Sequence, residues 1–130
     1  MAFFKKIYEK STGKWYPRSI TKGKTTTDTI AQYISEGTTL SLADVRAVLT
    51  ALPSAMKHYM TLGNTVKLDY IGTFYYTADA AGQGVDTESD VSKTQIQGVH
   101  VRFNPASTRR ADNTYSRRYL VDDDIEWTEV

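Results

Sequence analysis

Residues 63–77, G-N-T-V-K-L-D-Y-I-G-T-F-Y-Y-T, decide the fold, because they join a long helical pattern to a strand pattern. Gly63 closes the helical pattern, since glycine readily adopts the left-handed backbone that ends helices. Alternating apolar residues then predict a strand: Val66, Leu68, Phe74 and Tyr76. The alternation fails at Ile71-Gly72, where a glycine suits a bulge or a close approach of two backbones.

The helical pattern before this stretch begins at Ser41, whose S-L-A-D sequence is similar to a capping box. Apolar residues then recur at helical spacing as far as Gly63, which predicts a helix of about 20 residues. Pro53 falls inside the pattern. It should kink or divide the helix, because proline lacks a backbone donor and clashes with the preceding turn.

A shorter helix is predicted over residues 28–35. The threonines at 25–27 offer N-caps, and Gly37 supplies a stop. Ile30 and Ile34 lie four positions apart, so they should form the buried edge of this helix.

Two β-prone runs open the chain, at residues 2–8 and 15–20, with the turn-forming S-T-G-K between them. They predict an N-terminal hairpin. Pro17 confines the second strand to the edge of a sheet, because proline cannot donate to a strand ladder.

Residues 97–103 alternate in the second half of the chain, with His100 and Arg102 on one face and apolar residues on the other. A short strand is also predicted over 91–96. No element is predicted with certainty beyond Pro105. Residues 119–121 and 125–127 either pair as short strands or pack as a tail.

The composition, with 40% apolar and 24% charged residues, is typical of a soluble globular protein. A length of 130 residues is enough for one domain. No apolar run approaches the roughly 18 residues of a membrane span, and no signal peptide is evident, so a cytoplasmic location is predicted. The absence of cysteine excludes disulfides and thiolate chemistry. The two histidines sit in no ligand or catalytic pattern. We therefore predict no enzyme activity, cofactor, metal site or small-molecule substrate.

Charge is segregated along the chain although the formal net charge is only +1. Residues 1–26 hold seven Lys and Arg against Glu9 alone, and residues 101–120 hold five arginines against Asp112. Residues 121–130 hold five acids and no base. Basic surfaces beside an acidic tail are typical of polyanion binding, although such charges also serve only to solvate exposed faces.

The order of helix, helix, V-x-L and G-T-F strand, hairpin arm and V-x-F-x-P strand resembles bacterial HU and IHF proteins. Those are small histone-like proteins that bind and bend DNA as intertwined dimers. The resemblance covers about residues 28–105, and the extra N-terminal hairpin is similar to a divergent Bacteroidetes-type HU-like group. The residues that carry the resemblance are Gly63, Val66, Leu68, Gly72, Thr73, Phe74, Val101, Phe103 and Pro105.

The resemblance implies an α+β fold of HU/IHF type, with two helices packed on an antiparallel sheet that carries a β-hairpin arm. Residues 1–130 would form one domain: a hairpin extension at 1–24, an HU-like core at 25–105, and a basic then acidic tail at 106–130. It further implies a homodimer that binds double-stranded DNA in the bacterial nucleoid, with weak or no sequence specificity.

The arm departs from the family pattern. HU and IHF arms are rich in Arg and Lys and end in a proline that wedges between base pairs. Residues 78–98 contain no Pro and no Arg, and Lys93 is their only base beside four acids. An acidic arm repels phosphate, so clamping by proline intercalation is not expected. The alternative function is therefore a protein-interaction or structural module on an HU-like scaffold that has lost DNA binding.

DNA contact would then come from the core strands and the added termini. Arginine suits bidentate phosphate contact, and the tyrosines at 115 and 119 could lie against sugar or base. The arginines could equally pair with the acids at 122–124, and the tail at 122–129 could occupy the basic groove as a phosphate mimic. The predicted DNA-binding residues are Lys67, Arg102, Arg109, Arg110, Arg117, Arg118, Lys5, Lys6, Lys14, Arg18, Lys22 and Lys24.

Overall fold

The structure, a computed structural model, describes residues 1–80, 82–109, 111–112 and 115–130, with the backbone alone at 115–117. Two helices and mainly antiparallel sheets confirm the α+β class. The chain divides into two compact units, Met1–Thr50 with Val121–Val130, and Ala51–Leu120. In chain order the described elements are β1 (Ala2–Glu9), β2 (Lys14–Ile20), α1 (Thr27–Gly37), α2 (Leu42–Thr61), β3 (Val66–Leu68), β4 (Gly72–Ala80), β5 (Ile96–Pro105), β6 (Ser107–Arg109), β7 (Tyr115–Arg118) and β8 (Trp127–Glu129).

A three-stranded sheet of order β2-β1-β8 forms in the first unit. The antiparallel pairing of β1 with β2 confirms the N-terminal hairpin, and Pro17 lies on an edge strand as predicted. The third strand, β8, runs parallel to β1, with Trp127 opposite Ala2. Residues 119–121 and 125–127 therefore do not pair with each other, because the partner of Trp127 lies at the other end of the sequence.

Helix α1 begins after Thr26, whose side chain makes no capping hydrogen bond, and it ends at Gly37. Its buried residue is Ala31, which forms the buried apolar core of the described chain together with Val45 of α2. Ile30 is 46% exposed, so the prediction that it belongs to a buried edge is wrong for the single chain. Burial of a helix edge needs a facing surface, and the α1 pattern alone does not show whether this chain supplies one.

Helix α2 begins as predicted, because the Ser41 hydroxyl accepts a hydrogen bond from the Asp44 backbone N–H at 3.1 Å. It runs through Pro53 without division, so the alternative of two helices is wrong. The Gly63 stop is confirmed: its φ is +93°, and its N–H donates to the carbonyl of Met60 at 3.0 Å.

The second unit is built on a sheet of order β3-β4-β5. The single strand predicted over residues 66–76 is wrong, since the chain reverses at 69–71 and Leu68 lies opposite Gly72. Tyr70 makes this reversal in the left-handed region, at φ +66°. The close backbone approach predicted at Gly72 is confirmed, because an added Cβ would collide with the Asn104 carbonyl oxygen.

The remaining elements of this unit lie between β4 and β5 and after β5. The strand predicted over residues 91–96 is wrong, because 3-10 turns form at Glu88–Asp90 and Lys93–Gln95. The second turn is fixed by a capping box, in which Ser92 N–H donates to the side-chain oxygen of Gln95 at 2.8 Å. Beyond Pro105, β6 and β7 pair as a separate two-stranded sheet.

Candidate nucleic-acid interface

The polar face of the β3-β4-β5 sheet carries two of the predicted DNA-binding residues. Lys67 lies opposite Thr73. Arg102 lies opposite Tyr75, which is two positions further along β4. Because side chains alternate along each strand, both basic residues point to the same side. The residues that share this face are Lys67, Thr73, Tyr75, Thr77, Asp79, His100, Arg102 and Asn104.

The two basic side chains are held differently. Arg102 donates from Nε to the Thr77 hydroxyl at 3.1 Å, which orients the guanidinium over the face. Lys67 is exposed and has no hydrogen-bond or ion-pair partner among the residues that the structure describes. Arg102 therefore presents an oriented, planar guanidinium, and Lys67 presents an ammonium group on a flexible side chain. Both groups are suited to phosphate oxygens.

A cleft of about 540 Å³ continues this face toward the end of the sheet. Lys67, Thr73 and Asn104 line it from the sheet, and Ser107 and Thr108 line it from β6. Tyr70 and Tyr119 also line the cleft, and their rings pack edge to face, with centroids 5.3 Å apart and planes at 61°. The cleft thus combines an ammonium group, hydroxyls, an amide and two phenols, which are groups that contact nucleic-acid backbones, with one carboxylate, that of Asp69, which repels phosphate.

Sequence reasoning missed Thr73, Asn104 and Tyr70 as candidate site residues. The alternation of Asn104 with Arg102 along β5 was the available signal. Tyr70 gave no signal, because a tyrosine in the left-handed region has no sequence signature.

The predicted arginines after Pro105 are placed by the hairpin of β6 and β7. Ser107 lies opposite Arg118, Thr108 opposite Arg117, and Arg109 opposite Tyr115. Arg109 and Arg118 each have an interaction partner within the chain. Arg110 lies outside the described residues, and the side chain of Arg117 is not described. Residues of β6 line the cleft, so the structure brings this hairpin beside the face that carries Lys67.

The arm that connects β4 and β5 holds two of its four acids on neighbouring side chains. The Asp79 carboxylate lies within hydrogen-bond distance of His100 Nδ1 across the two strands. Asp90 accepts a hydrogen bond from the Thr87 hydroxyl at 2.7 Å. Asp90 stabilises the turn at Glu88–Asp90, and Lys93 is the one Lys or Arg among residues 78–98.

The basic residues of the N-terminal hairpin divide between the two faces of its sheet. Lys5 lies directly opposite Arg18, and Lys14 projects on that same face. Lys6 projects on the other face and pairs with Glu129 of β8 at 3.0 Å. Lys22 lies over the ring of Phe3, 4.2 Å from its centroid, and Lys24 follows in the segment before α1. Glu129 of the acidic tail is therefore paired with a predicted DNA-binding residue, Lys6.

The opposite face of the β3-β4-β5 sheet is apolar and uncovered in the single chain. Phe74 and Phe103 pack ring against ring there, with centroids 4.8 Å apart. Val99 and Val101 on the same face are more than 60% exposed. An exposed apolar face of this kind is typical of a surface that another chain covers.

The helices, the sheet with its arm and the polar face with its cleft define an HU-like domain. The family model "HU domain fused to wHTH, Ig, or Glycine-rich motif" matches residues 3–116, and the chain belongs to this family. HU-like domains are histone-like, architectural DNA-binding domains rather than enzymes. No relative among curated proteins matches the chain. Within the described residues, neither helix is long and apolar enough to cross a membrane.

Proposed function

We propose that this protein is a non-enzymatic, histone-like DNA-binding protein that binds double-stranded DNA with weak or no sequence specificity. The observation that carries the proposal is the polar sheet face, on which Lys67 and Arg102 lie together beside the cleft. Membership of the HU family supports duplex DNA as the ligand.

Phosphate contact explains this face better than base recognition does. It carries an ammonium, a guanidinium, hydroxyls and an amide on a sheet, and such groups position a protein on the duplex backbone. The acid on this face, Asp79, lies against His100. The arm that wedges into the minor groove in HU and IHF is acidic and lacks proline here. We therefore expect DNA to be bent less than it would be by an intercalating arm.

Binding should depend steeply on salt. Anisotropy of a labelled duplex of about 30 base pairs is expected to saturate at low salt, because neutralised phosphates release counterions. If about four phosphates are contacted, the slope of log K against log salt should be about −3.6. Absence of binding even at low salt would contradict the proposed function while leaving the family assignment intact.

We also propose that the protein functions as a homodimer, and exposed apolar residues support this. Ala31 and Val45 are the buried apolar residues of the described chain, whereas Val48, Val101 and Leu62 are each at least 60% exposed. Apolar burial is the main source of folding stability, so a chain with this little core is expected to need a second chain.

Light scattering should therefore report about twice the chain mass of 14.6 kDa. The midpoint of thermal unfolding should also rise with protein concentration, because dissociation accompanies unfolding of an obligate dimer. A mass of about 15 kDa with a concentration-independent midpoint would contradict the dimer.

A protein-interaction module on the same scaffold is the second candidate, favoured by the exposed acids of the arm. Asp86 and Glu88 are exposed and have no ion-pair partner among the described residues. This module would bind no duplex at any salt concentration, which separates it from the first proposal. With the leading function we propose a cytoplasmic, nucleoid-bound location, one HU-like domain over residues 1–130, and membership of the Bacteroidetes-type HU-like group.

A further inference from the structure

The two faces of the β2-β1-β8 sheet differ in charge. Side chains alternate along a strand, so the odd positions of β1 and their partners on β2 share one face, which we call the basic face. Its charged residues on these two strands are Lys5, Glu9, Lys14 and Arg18. The charged residues of the other face, Lys6 and Glu129, pair with each other at 3.0 Å. The charge that the sheet leaves uncompensated therefore lies on the basic face.

A fourth basic side chain is held over the same face by an aromatic ring. Phe3 is at an odd position of β1, opposite Ile20, so its ring belongs to the basic face. The Nζ atom of Lys22 lies 4.2 Å from the centroid of that ring. On β1, β2 and β8, all of which the structure describes, one acid shares this face, Glu9. The basic face therefore carries a clear excess of positive charge.

The fold of the hairpin gains no stability from the central pair of these charges. Lys5 and Arg18 lie directly opposite each other, and like charges at such positions destabilise a sheet. Both side chains are exposed, and neither has an ion-pair partner among the residues that the structure describes. An anion from outside the chain would offset this repulsion and would find two donors side by side.

The basic face has the length of a short stretch of duplex. From the row of Phe3 to the row of Glu9 it extends over six residues of β1, or about 20 Å. A duplex carries one phosphate per roughly 3.4 Å on each strand, so this length matches about six base pairs. Tyr16 lies between the rows of Lys5 and Lys14 and is 38% exposed, which leaves its hydroxyl able to donate to a phosphate oxygen.

We propose that the basic face is a second surface for duplex DNA, on which Lys5, Arg18, Lys14 and Lys22 hold phosphates of the backbone. It belongs to a different compact unit from the polar face of the β3-β4-β5 sheet. The inference rests on the proposed function, because it takes the same ligand, and it adds a site that the family core does not contain. Lys6 is not part of this site, since it projects on the other face and is bound to Glu129.

The test uses the full chain with Lys67→Glu and Arg102→Glu, so that the polar face no longer contributes. Anisotropy of a labelled duplex of about 30 base pairs is expected to show saturable residual binding at low salt. Adding Lys5→Gln and Arg18→Gln should weaken that binding roughly tenfold per lost contact and reduce the salt slope by about 1.8. Absence of residual binding, or a residual affinity that the two added changes leave intact, would overturn the proposal. If the unaltered chain bound no duplex, the proposed function itself would fail as well.

Arg46→Gln is the matched control for Arg18→Gln in the same background. Both arginines belong to the same compact unit, but Arg46 lies on α2 and pairs with Asp28 at 3.1 Å. The control should change the residual affinity by less than about threefold, through long-range charge alone. Equal losses for the two variants would mean that net charge governs binding, which would overturn the proposal.

Two further measurements complete the test. Thermal melts of the variant with Lys5→Gln and Arg18→Gln should give a midpoint no lower than that of its parent, because a repelling pair has been removed. The same variants are titrated with labelled polyglutamate. Loss of affinity for polyglutamate without loss of affinity for the duplex would assign the basic face to an acidic protein segment and overturn the proposal.

Discussion

Duplex affinity is expected to fall about 100-fold when Lys67 and Arg102 are both replaced by glutamate. Each replacement removes an attraction to phosphate and adds a repulsion, so a loss of about tenfold per site is reasonable for partly solvated charges. Lys67 has no partner to lose among the described residues, and Arg102 gives up only its bond to the Thr77 hydroxyl. The change should therefore act on binding with little effect on the fold. Anisotropy titrations at one fixed salt concentration measure it.

Lys57→Glu is the matched control for Lys67→Glu. Both lysines are exposed and belong to the same compact unit, but Lys57 lies on α2 and not on the polar sheet face. The single control change should alter affinity by less than about threefold, through long-range charge alone. Similar losses for Lys57→Glu and Lys67→Glu would mean that net charge, and not the polar face, governs binding.

Gly72→Ala is expected to destabilise the protein by about 3 kcal/mol or more, through two additive causes. The φ of Gly72 is +149°, a backbone region that alanine rarely adopts. An added Cβ would also collide with the Asn104 carbonyl oxygen and lie 2.6 Å from Cε2 of Phe103. The Asn104 carbonyl cannot withdraw, because it belongs to the backbone of β5, which is paired with β4. Urea denaturation at a fixed protein concentration gives the difference in unfolding free energy.

Gly37→Ala provides the contrast within the same chain. Gly37 ends α1 without a positive φ, and a Cβ there would meet no atom within 4 Å. Alanine is the better helix former, so this variant should be neutral or more stable by up to about 1 kcal/mol. If Gly72→Ala proved as harmless as Gly37→Ala, the close approach of β4 and β5 would not exist in solution.

The sequence predicted the elements whose signals are local. The periodicity before Gly63 and the cap at Ser41 located α2, and two β-prone runs around a turn located the β1–β2 hairpin. The reversal at 69–71 was missed because its left-handed residue is Tyr70 and not glycine. The place of β8 was missed for a different reason. β8 pairs with β1, which is more than 100 residues away in the sequence, and a local residue pattern does not indicate such a distant partner.

In the candidate site, too, the features with local sequence signals could be predicted and those that depend on long-range contacts could not. Alternation along two strands was enough to place Lys67 and Arg102 on a polar face, and the register of β3, β4 and β5 brings those positions onto one side. The cleft could not be predicted, because it needs β6 folded back beside the sheet and a tyrosine pair formed by residues 70 and 119. The role of these residues in DNA binding stays a prediction.

The parallel pair of β1 and β8 sets the order in which the protein can fold during synthesis. The β1–β2 hairpin leaves the ribosome long before Trp127–Glu129 does, and at 5–20 residues per second the interval is roughly 5–25 s. During that interval the edge of β1 that later receives β8 has no strand on it, beside exposed aromatic side chains. Unpaired edges of this kind are where nascent chains join one another. Like charge on the lysines of this hairpin disfavours such contacts between neighbouring nascent chains until β8 arrives.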